Sequence, residues 1–258
     1  MLFCKRTSAD PRRQLAIDEA MLESSEQSEG AQQWFRLWEL PQPAVILGRA
    51  CDAMRETNWE ACRTASVPVL RRASGGGAVV VGPGCLVYSL VVSYHNRPDF
   101  RELQTAHRYV LEQIAAAVSQ CGLTVELAGT SDLVWNGRKV SGNSLKCKRH
   151  ALLYHGTVLY NAELAQIGAL LDHPSREPDY RDGRPHQEFV ANLPITKEEL
   201  TDALMRQWNV NQSGELTDEL IESLWETRYS RDKWHRDGAM SKPQITPGPS
   251  DVAAPTPD

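Results

Sequence analysis

The segment "VPVLRRASGGGAVVVGPGCLVYS", residues 67–89, decides how the chain is read. Runs of β-branched residues flank an arginine pair and a triple glycine, and a Gly-Pro-Gly precedes the next apolar run. Branched side chains pack well on a pleated surface, so "VPVLRR", "GAVVV" and "CLVYSLVVS" read as three strands joined by glycine loops. Glycine has no Cβ and lets backbone approach a ligand closely, and the neighbouring Arg71 and Arg72 point to an anionic one. The loop is no P-loop, because G-x-x-x-x-G-K-[ST] is absent and Gly75-Gly76-Gly77 leads into a strand rather than a helix. Taken alone, the stretch fits a plain turn as well as a binding loop.

Upstream, Asp10-Pro11 followed by "RRQLAIDEAMLE" gives a helix with an aspartate N-cap and proline in its first turn. "QWFRLWEL" and "AVILG" are short strands joined through Pro41-Gln42-Pro43, expected as a sheet edge. Downstream, "FRELQTAHRYVLEQIAAAVSQCG" is an amphipathic helix ending at Gly122. "TVELAG", "SDLVWNGRKVSG" and "ALLYHGTVLYN" continue the strands, and Asn136-Gly137 marks a hairpin that carries Lys139 on its return arm. Three helical patterns follow, "AELAQIGALL", "TKEELTDALMRQW" and "LTDELIESLWETRY". The strands cluster without regular βαβ alternation, so the fold class is α+β: a mixed, largely antiparallel, mainly meandering sheet flanked by helices. Residues 1–240 are expected to form one catalytic domain and 241–258, rich in Pro, Ser, Ala and Asp, a disordered tail.

Composition limits the function classes. The 258 residues are 41% hydrophobic and 24% charged, with no apolar run of membrane-span length. A net charge of −5 argues against general nucleic-acid binding and leaves a local basic patch at Arg71, Arg72, Lys139 and Lys146. The N-terminus lacks the apolar core and cleavage site of a secretory signal, so a cytoplasmic location is expected. The six cysteines, at 4, 51, 62, 85, 121 and 147, contain no C-x-x-C pair and suggest neither zinc nor a disulfide framework.

Chemistry concentrates in a second segment, "SDLVWNGRKVSGNSLKCKRHALLYHGTVLY", which sets Asp132, Lys139, Ser141-Gly142 and His155-Gly156-Thr157 on successive strands. Together with the glycine loop it resembles the biotin and lipoate A/B protein ligase family, most closely the lipoate-protein ligase A type of catalytic domain. "RRASGGGAV" is similar to the family's R-R-x-S-G-G-G-A-V, "GRKVSG" to its K-V-S-G, and "HGTVLYNAEL" to its H-G-T-L-L. "QLAIDEAML" resembles its N-terminal helix. The resemblance spans roughly Leu15 to Trp234.

It implies an enzyme that activates lipoate or octanoate with ATP and Mg2+ as an acyl adenylate. The acyl group then passes to a lysine of a lipoyl domain, of the 2-oxoacid dehydrogenase E2 or glycine-cleavage H-protein type. Nucleic acid, membrane and protein metal ligands have no part in that reading. Lys139 is then the catalytic cation. Arg72, Ser74, Gly75, Gly76, Gly77 and Ala78 line the acyl and adenylate pocket, Asp132 lies near the adenosine, and Ser141, Gly142, His155, Gly156 and Thr157 stand beside Lys139.

The chain also departs from the pattern. Where lipoate ligases continue with His-Asp-x-Gly-Asn it reads Val81-Gly82-Pro83-Gly84-Cys85, similar to an octanoyltransferase segment without its histidine, and Thr130-Ser131 replaces Arg-Asn before the family's aspartate. An octanoyl or lipoyl transferase working through a cysteine thioester therefore stays open. Cys85, or Cys147 among the cations Lys146, Lys148 and Arg149, is the candidate thiol. A non-catalytic lipoyl-binding protein is the third reading. Finally, "HPSREPDYRDGRPHQEFVANL" carries three arginines and two histidines among four acids, and Arg176, Arg181, Arg184 and His186 fit a docking or phosphate-binding surface as well as an ordinary loop.

Overall fold

Local chemistry sets the first elements. The structure, a computed structural model, describes residues 1–174 and 177–237. Strand β1 (Leu2–Cys4) precedes helix α1 (Pro11–Gln27), whose Asp10 cap accepts the backbone N–H of Arg12 at 2.8 Å. β2 (Trp34–Trp38), β3 (Ala44–Leu47), the short helices α2 (Ala53–Glu56) and α3 (Trp59–Thr64), β4 (Val69–Arg71), β5 (Val79–Val81) and β6 (Cys85–Ser93) follow. Beyond a 3-10 turn at Pro98–Arg101 lie α4 (Leu103–Ser119), β7 (Glu126–Ala128), β8 (Asp132–Trp135), β9 (Arg138–Cys147) and β10 (Ala151–Leu159). Asn136 and Gly137, at φ 51° and 72°, make the β8–β9 hairpin turn that their dipeptide predicts.

The remaining elements are α5 (Leu164–Leu170), a 3-10 turn at Asp179–Arg181, α6 (His186–Phe189), α7 (Lys197–Gln207), β11 (Gln212–Gly214), α8 (Asp218–Leu224), a π-helical turn at Trp225–Tyr229 and α9 (Asp232–Asp237). A capping box between Thr196 and Glu199 starts α7. The expected tail at 241–258 and Arg176 lie outside the described residues.

The strands form a large sheet in the order β11-β1-β2-β6-β10-β9-β8-β7 and a separate three-stranded sheet, β4-β3-β5. Pairings from β2 to β7 are antiparallel, whereas β1 runs parallel to both neighbours, so the α+β, largely antiparallel class holds. The meandering path holds for β7 to β10 and fails elsewhere. β2 and β3 enter different sheets, and neither is an edge: β2 lies between β1 and β6, and β3 between β4 and β5. Two prolines with no N–H to donate leave the 41–43 linker unable to join a ladder at those positions.

β6 and β10 are the centre of the large sheet and bury both faces. Val87, Val91 and Leu153 pack with Leu15 and Met21 of α1 and with Val45, Ile46 and Leu70 of the small sheet. Tyr88, Leu90, Leu152 and Tyr154 point the other way, against Val110 and Ile114 of α4 and Leu200 and Leu204 of α7. The two-residue alternation of a strand thus builds two cores from one sequence run.

Candidate functional site

β8, β9 and β10 form the sheet wall of one cavity, about 450 Å3 in volume. Its walls combine two chemistries. Leu15, Trp38, Ile46, Val80, Leu159 and Ile167 are apolar and share the α1-side core. Asp132, Lys139, Ser141, Arg181 and His186 are polar. Such a pocket suits a long apolar molecule with an anionic head. Of the residues expected from the sequence, Arg72, Gly76, Gly77, Ala78, Asp132, Lys139, Ser141, Gly142, His155, Gly156 and Thr157 all line it.

Lys139 is the cation of this cavity's sheet wall. The β8–β9 ladder pairs Asp132 with Gly142 and slips register between Leu133 and Val134, so Lys139 folds back over the glycine. Its Nζ stands 2.8 Å from Asp132 Oδ1, and Tyr180 donates its hydroxyl to Oδ2 at 2.7 Å. A Cβ on residue 142 would lie 2.8 Å from Lys139 Cε and 2.9 Å from Nζ, so only glycine leaves the ammonium this place. An ammonium has three donors, and the carboxylate takes one. Asp132 therefore aims the lysine and leaves donors for a ligand.

Arg71 corrects the reading of a ligand-facing basic patch, whereas Arg72 lines the cavity with its donors held by the loop. Arg71 is 2% exposed and donates to the carbonyls of Gly48 (2.8 Å), Cys51 (2.7 Å) and Arg236 (3.0 Å). Its backbone N–H donates to His235 Nδ1 of α9 at 3.0 Å. Arg72 donates to Ile46 O, to Ser74 Oγ and to Gly75 O, and burial pushes its guanidinium down to about 10. Both are internal clamps that hold the loop's path, their charge directed at backbone carbonyls. Lys146 is paired with Glu19 on α1.

Behind the loop, Ser74 Oγ lies 2.5 Å from His155 Nε2, and His155 Nδ1 lies 3.6 Å from Asp18 Oδ2. Asp18 is buried against Arg36 at 2.6 Å and accepts from Ser89 Oγ at 2.8 Å. Burial alone would raise its pKa, but Arg36, with His155 and Ser89, holds it below the ordinary carboxylate value. Ser74 is thus buried behind the cavity wall, whereas Gly75 is exposed on the loop and its carbonyl accepts from Ser144 Oγ at 2.9 Å. Asp18, Arg36, Tyr180 and Ser144 escaped the sequence reading. Asp18 had a signal, an acid in the otherwise apolar face of "LAIDEAML". Tyr180 had none, since its partner lies 48 positions away.

Neither candidate thiol lines the cavity. Cys85 is buried at the start of β6, where burial pushes its thiol up to about 12, the reverse of activation. Cys147 is exposed at the far end of β9, and two of its cationic neighbours are paired, Lys146 with Glu19 and Lys148 with Glu23.

The arginine-bearing segment after α5 contributes Glu177, Pro178, Arg181, His186 and Phe189 to the cavity. His186 is pushed down to about 4, first by burial and then by Arg181, His173 and Lys139. Arg184 instead reaches Gly137 O and Tyr180 O, tying the segment to the hairpin. Among the described residues no cluster of three or more His, Cys, Asp or Glu is placed to hold a metal ion, and no helix is long and apolar enough to cross a membrane.

The model of the lipoyl protein ligase A/B catalytic domain matches residues 10–210. Lipoate-protein ligase LplJ of Bacillus subtilis is 28% identical over 247 residues, 90% of this chain and 70% of that protein. The bipartite lipoate protein ligase of Thermoplasma acidophilum, solved in a study of that ligase and its E2 lipoyl domain, superposes with a TM-score of 0.77 at 23% identity, covering 91% of this chain and 95% of the other. A lipoate-protein ligase A bound with ATP gives a TM-score of 0.75 at 23% identity, covering 91% and 98%.

Proposed function

Because the chain belongs to the lipoyl protein ligase A/B catalytic domain family, we propose that it activates lipoate with ATP and transfers the lipoyl group to a lysine of a lipoyl domain. The observation that carries this reading is the Lys139–Asp132 pair at 2.8 Å in a cavity whose other wall is apolar. The acyl chain lies along Leu15, Trp38 and Ile46, and the carboxylate meets Lys139. A carboxylate oxygen attacks the α-phosphorus of ATP, the new C–O–P linkage forms, and the bond to pyrophosphate breaks. Two anions approach in this step, and a fixed ammonium in a partly dry site lowers its barrier. The ε-amine of the acceptor lysine then attacks the acyl carbon, AMP leaves with the C–O electron pair, and an amide remains. Lys139 faces the oxyanion of that second step as well. No protein nucleophile takes part.

Arg72, Ser74 and Gly75 through Ala78 shape the loop over the acyl and adenylate groups, with Ser74 fixed by His155. Ser141, Gly142, Gly156 and Thr157 keep the strand wall open beside Lys139. Asp132, which the resemblance implied for adenosine, orients Lys139 in this reading. The cavity's carboxylates are few and Asp132 is already engaged, so Mg2+ would be held by the triphosphate itself and would there offset phosphate charge. Residues 1–240 act as one catalytic unit. The acceptor is an E2-type lipoyl domain.

The test is intact mass of a lipoyl domain after incubation with the protein, ATP and lipoate, with octanoate as the competing acid. Modification that requires ATP and free acid is the expected result. Modification only from an acylated carrier, lost in Cys85→Ala or Cys147→Ala, would make the protein a thioester transferase. No modification from either donor would make it a binding protein.

A further inference from the structure

Arg181 ends the 3-10 turn Asp179–Arg181 and lines the cavity, yet it is only 3% exposed. Its Nε donates to Arg184 O at 2.9 Å and lies 3.4 Å from Glu177 Oε2, and its guanidinium carbon sits 4.9 Å over the Phe189 ring. Its Nη2 is buried with no hydrogen-bond partner. A guanidinium is a planar fork made to receive two oxygens, and leaving one edge unmade in a buried place is costly. Glu177 is a weak partner, with its side chain 39% exposed and its approach made to Nε alone.

The turn is also placed. Tyr180, next in the chain, binds Asp132, which binds Lys139. Pro178 and Tyr180 crowd Gly129 at the head of the Gly129–Asp132 loop, 3.3 and 3.5 Å from where its Cβ would stand. Lys139 and Arg181 line the same cavity, so a molecule whose head meets Lys139 has a second cation within the same enclosure for its next anionic group. His186, lowered first by burial, is lowered further by Arg181, His173 and Lys139, so both cations lie close enough to act on one group.

We infer that Arg181 is a phosphate receptor: its unpartnered Nη2 edge takes a phosphoryl oxygen of the bound nucleotide, displacing Glu177 from the guanidinium. The inference rests on the ATP-dependent reading and adds to it a second cation, supplied by the segment between α5 and α6. Glu177 acts as a stand-in anion that holds the fork until nucleotide arrives.

The experiment measures binding of ATP, AMP and adenosine by calorimetry to the wild type, Arg181→Gln, Arg181→Lys and Glu177→Gln, with lipoate binding as control. Arg181→Gln is expected to weaken ATP and AMP about 10- to 100-fold while leaving adenosine and lipoate within two-fold. Arg181→Lys, which keeps charge and loses the fork, should fall between. Glu177→Gln, an exposed change that leaves the fold intact, should tighten ATP by about two- to five-fold. Wild type that prefers ATP to adenosine, with the preference unchanged in Arg181→Gln and Glu177→Gln, overturns the role of Arg181 and leaves the ligase reading standing. An Arg181-dependent preference in a protein that ligates nothing keeps the receptor and sinks the ligase reading. Equal binding of ATP and adenosine by wild type overturns both. If Arg181→Gln fails to fold, Glu177→Gln decides alone, and unchanged ATP affinity there refutes the displacement.

Discussion

Replacing Gly142 by alanine separates the placement of the proposed catalytic cation, Lys139, from its presence. The new Cβ would stand 2.8 Å from Lys139 Cε and 2.9 Å from Nζ, against an ordinary contact of 3.4 Å or more, so the end of the lysine must retreat by about 0.5 Å. Asp132 Oδ1, at 3.7 Å, is not crowded. The displaced group is the far end of a flexible side chain, so the fold loses little. Alanine's smaller unfolded-state entropy offsets part of that loss, and stability should stay within about 1 kcal/mol of wild type. Catalysis has no such tolerance, because a misplacement of about 1 Å costs on the order of 100-fold in rate, and half of that should cost about 10-fold. Initial rates of lipoyl-domain modification by intact mass, paired with a thermal melt, read both quantities. A Gly142→Ala protein with wild-type rate and wild-type melting would show that Lys139 need not sit where the glycine lets it sit. A protein that melts far lower would show that Gly142 serves the sheet and not the lysine.

Lys139→Ala should lower the rate about 100- to 1000-fold, the value of one preorganised charge contact, with Tm nearly unchanged, and Lys139→Arg should not restore it because the wider guanidinium has no room over Gly142. Wild-type-like turnover in either variant would refute the assignment. Asp18→Ala strands the guanidinium of Arg36, itself fully buried, and should cost about 3–5 kcal/mol in urea unfolding; a loss under about 1 kcal/mol would refute the buried-pair account. His186 holds its folded pKa at about 4, below the ordinary 6.5, so the unfolded chain binds the extra proton between those values. Its contribution is present above pH 6.5 and is lost as pH falls toward 4, amounting to about 1–3 kcal/mol. His186→Gln should flatten that part of the stability profile, and an unchanged slope would count against it.

Where one residue type fixes a local conformation, the sequence was readable: Asp10 at a helix start, Asn136-Gly137 at a hairpin, the alternation through β6 and β10. Short strands escaped. β1 and β11 have three residues each, too few for a period to show, and they pair with each other across the whole chain. The division into two sheets was hidden for a different reason, since β3, β4 and β5 look like any apolar runs and their pairing is a matter of tertiary contact. In the site, motif order placed Lys139, Gly142 and His155 on one wall. The role of Arg71 was misjudged because a string of letters does not tell a cation facing a ligand from one facing backbone carbonyls. Only the paths of residues 46–51 and 234–236 settle that.

The clamp on Arg71 has a consequence for how the protein is made. His235 receives the N–H of a residue 164 positions earlier, and Trp234 Nε1 donates to Arg71 O at 3.0 Å. During synthesis the ribosome releases the glycine loop long before the helix that fastens it. The sheets and α1 have time to form around an unfinished pocket, and the loop takes its final course only when α9 docks on β4. A stalled or clipped chain lacking α9 would keep the motifs in full and Lys139 in place, yet present them around a floor that has not set. Detection of the motif in such a fragment would say nothing about whether it works.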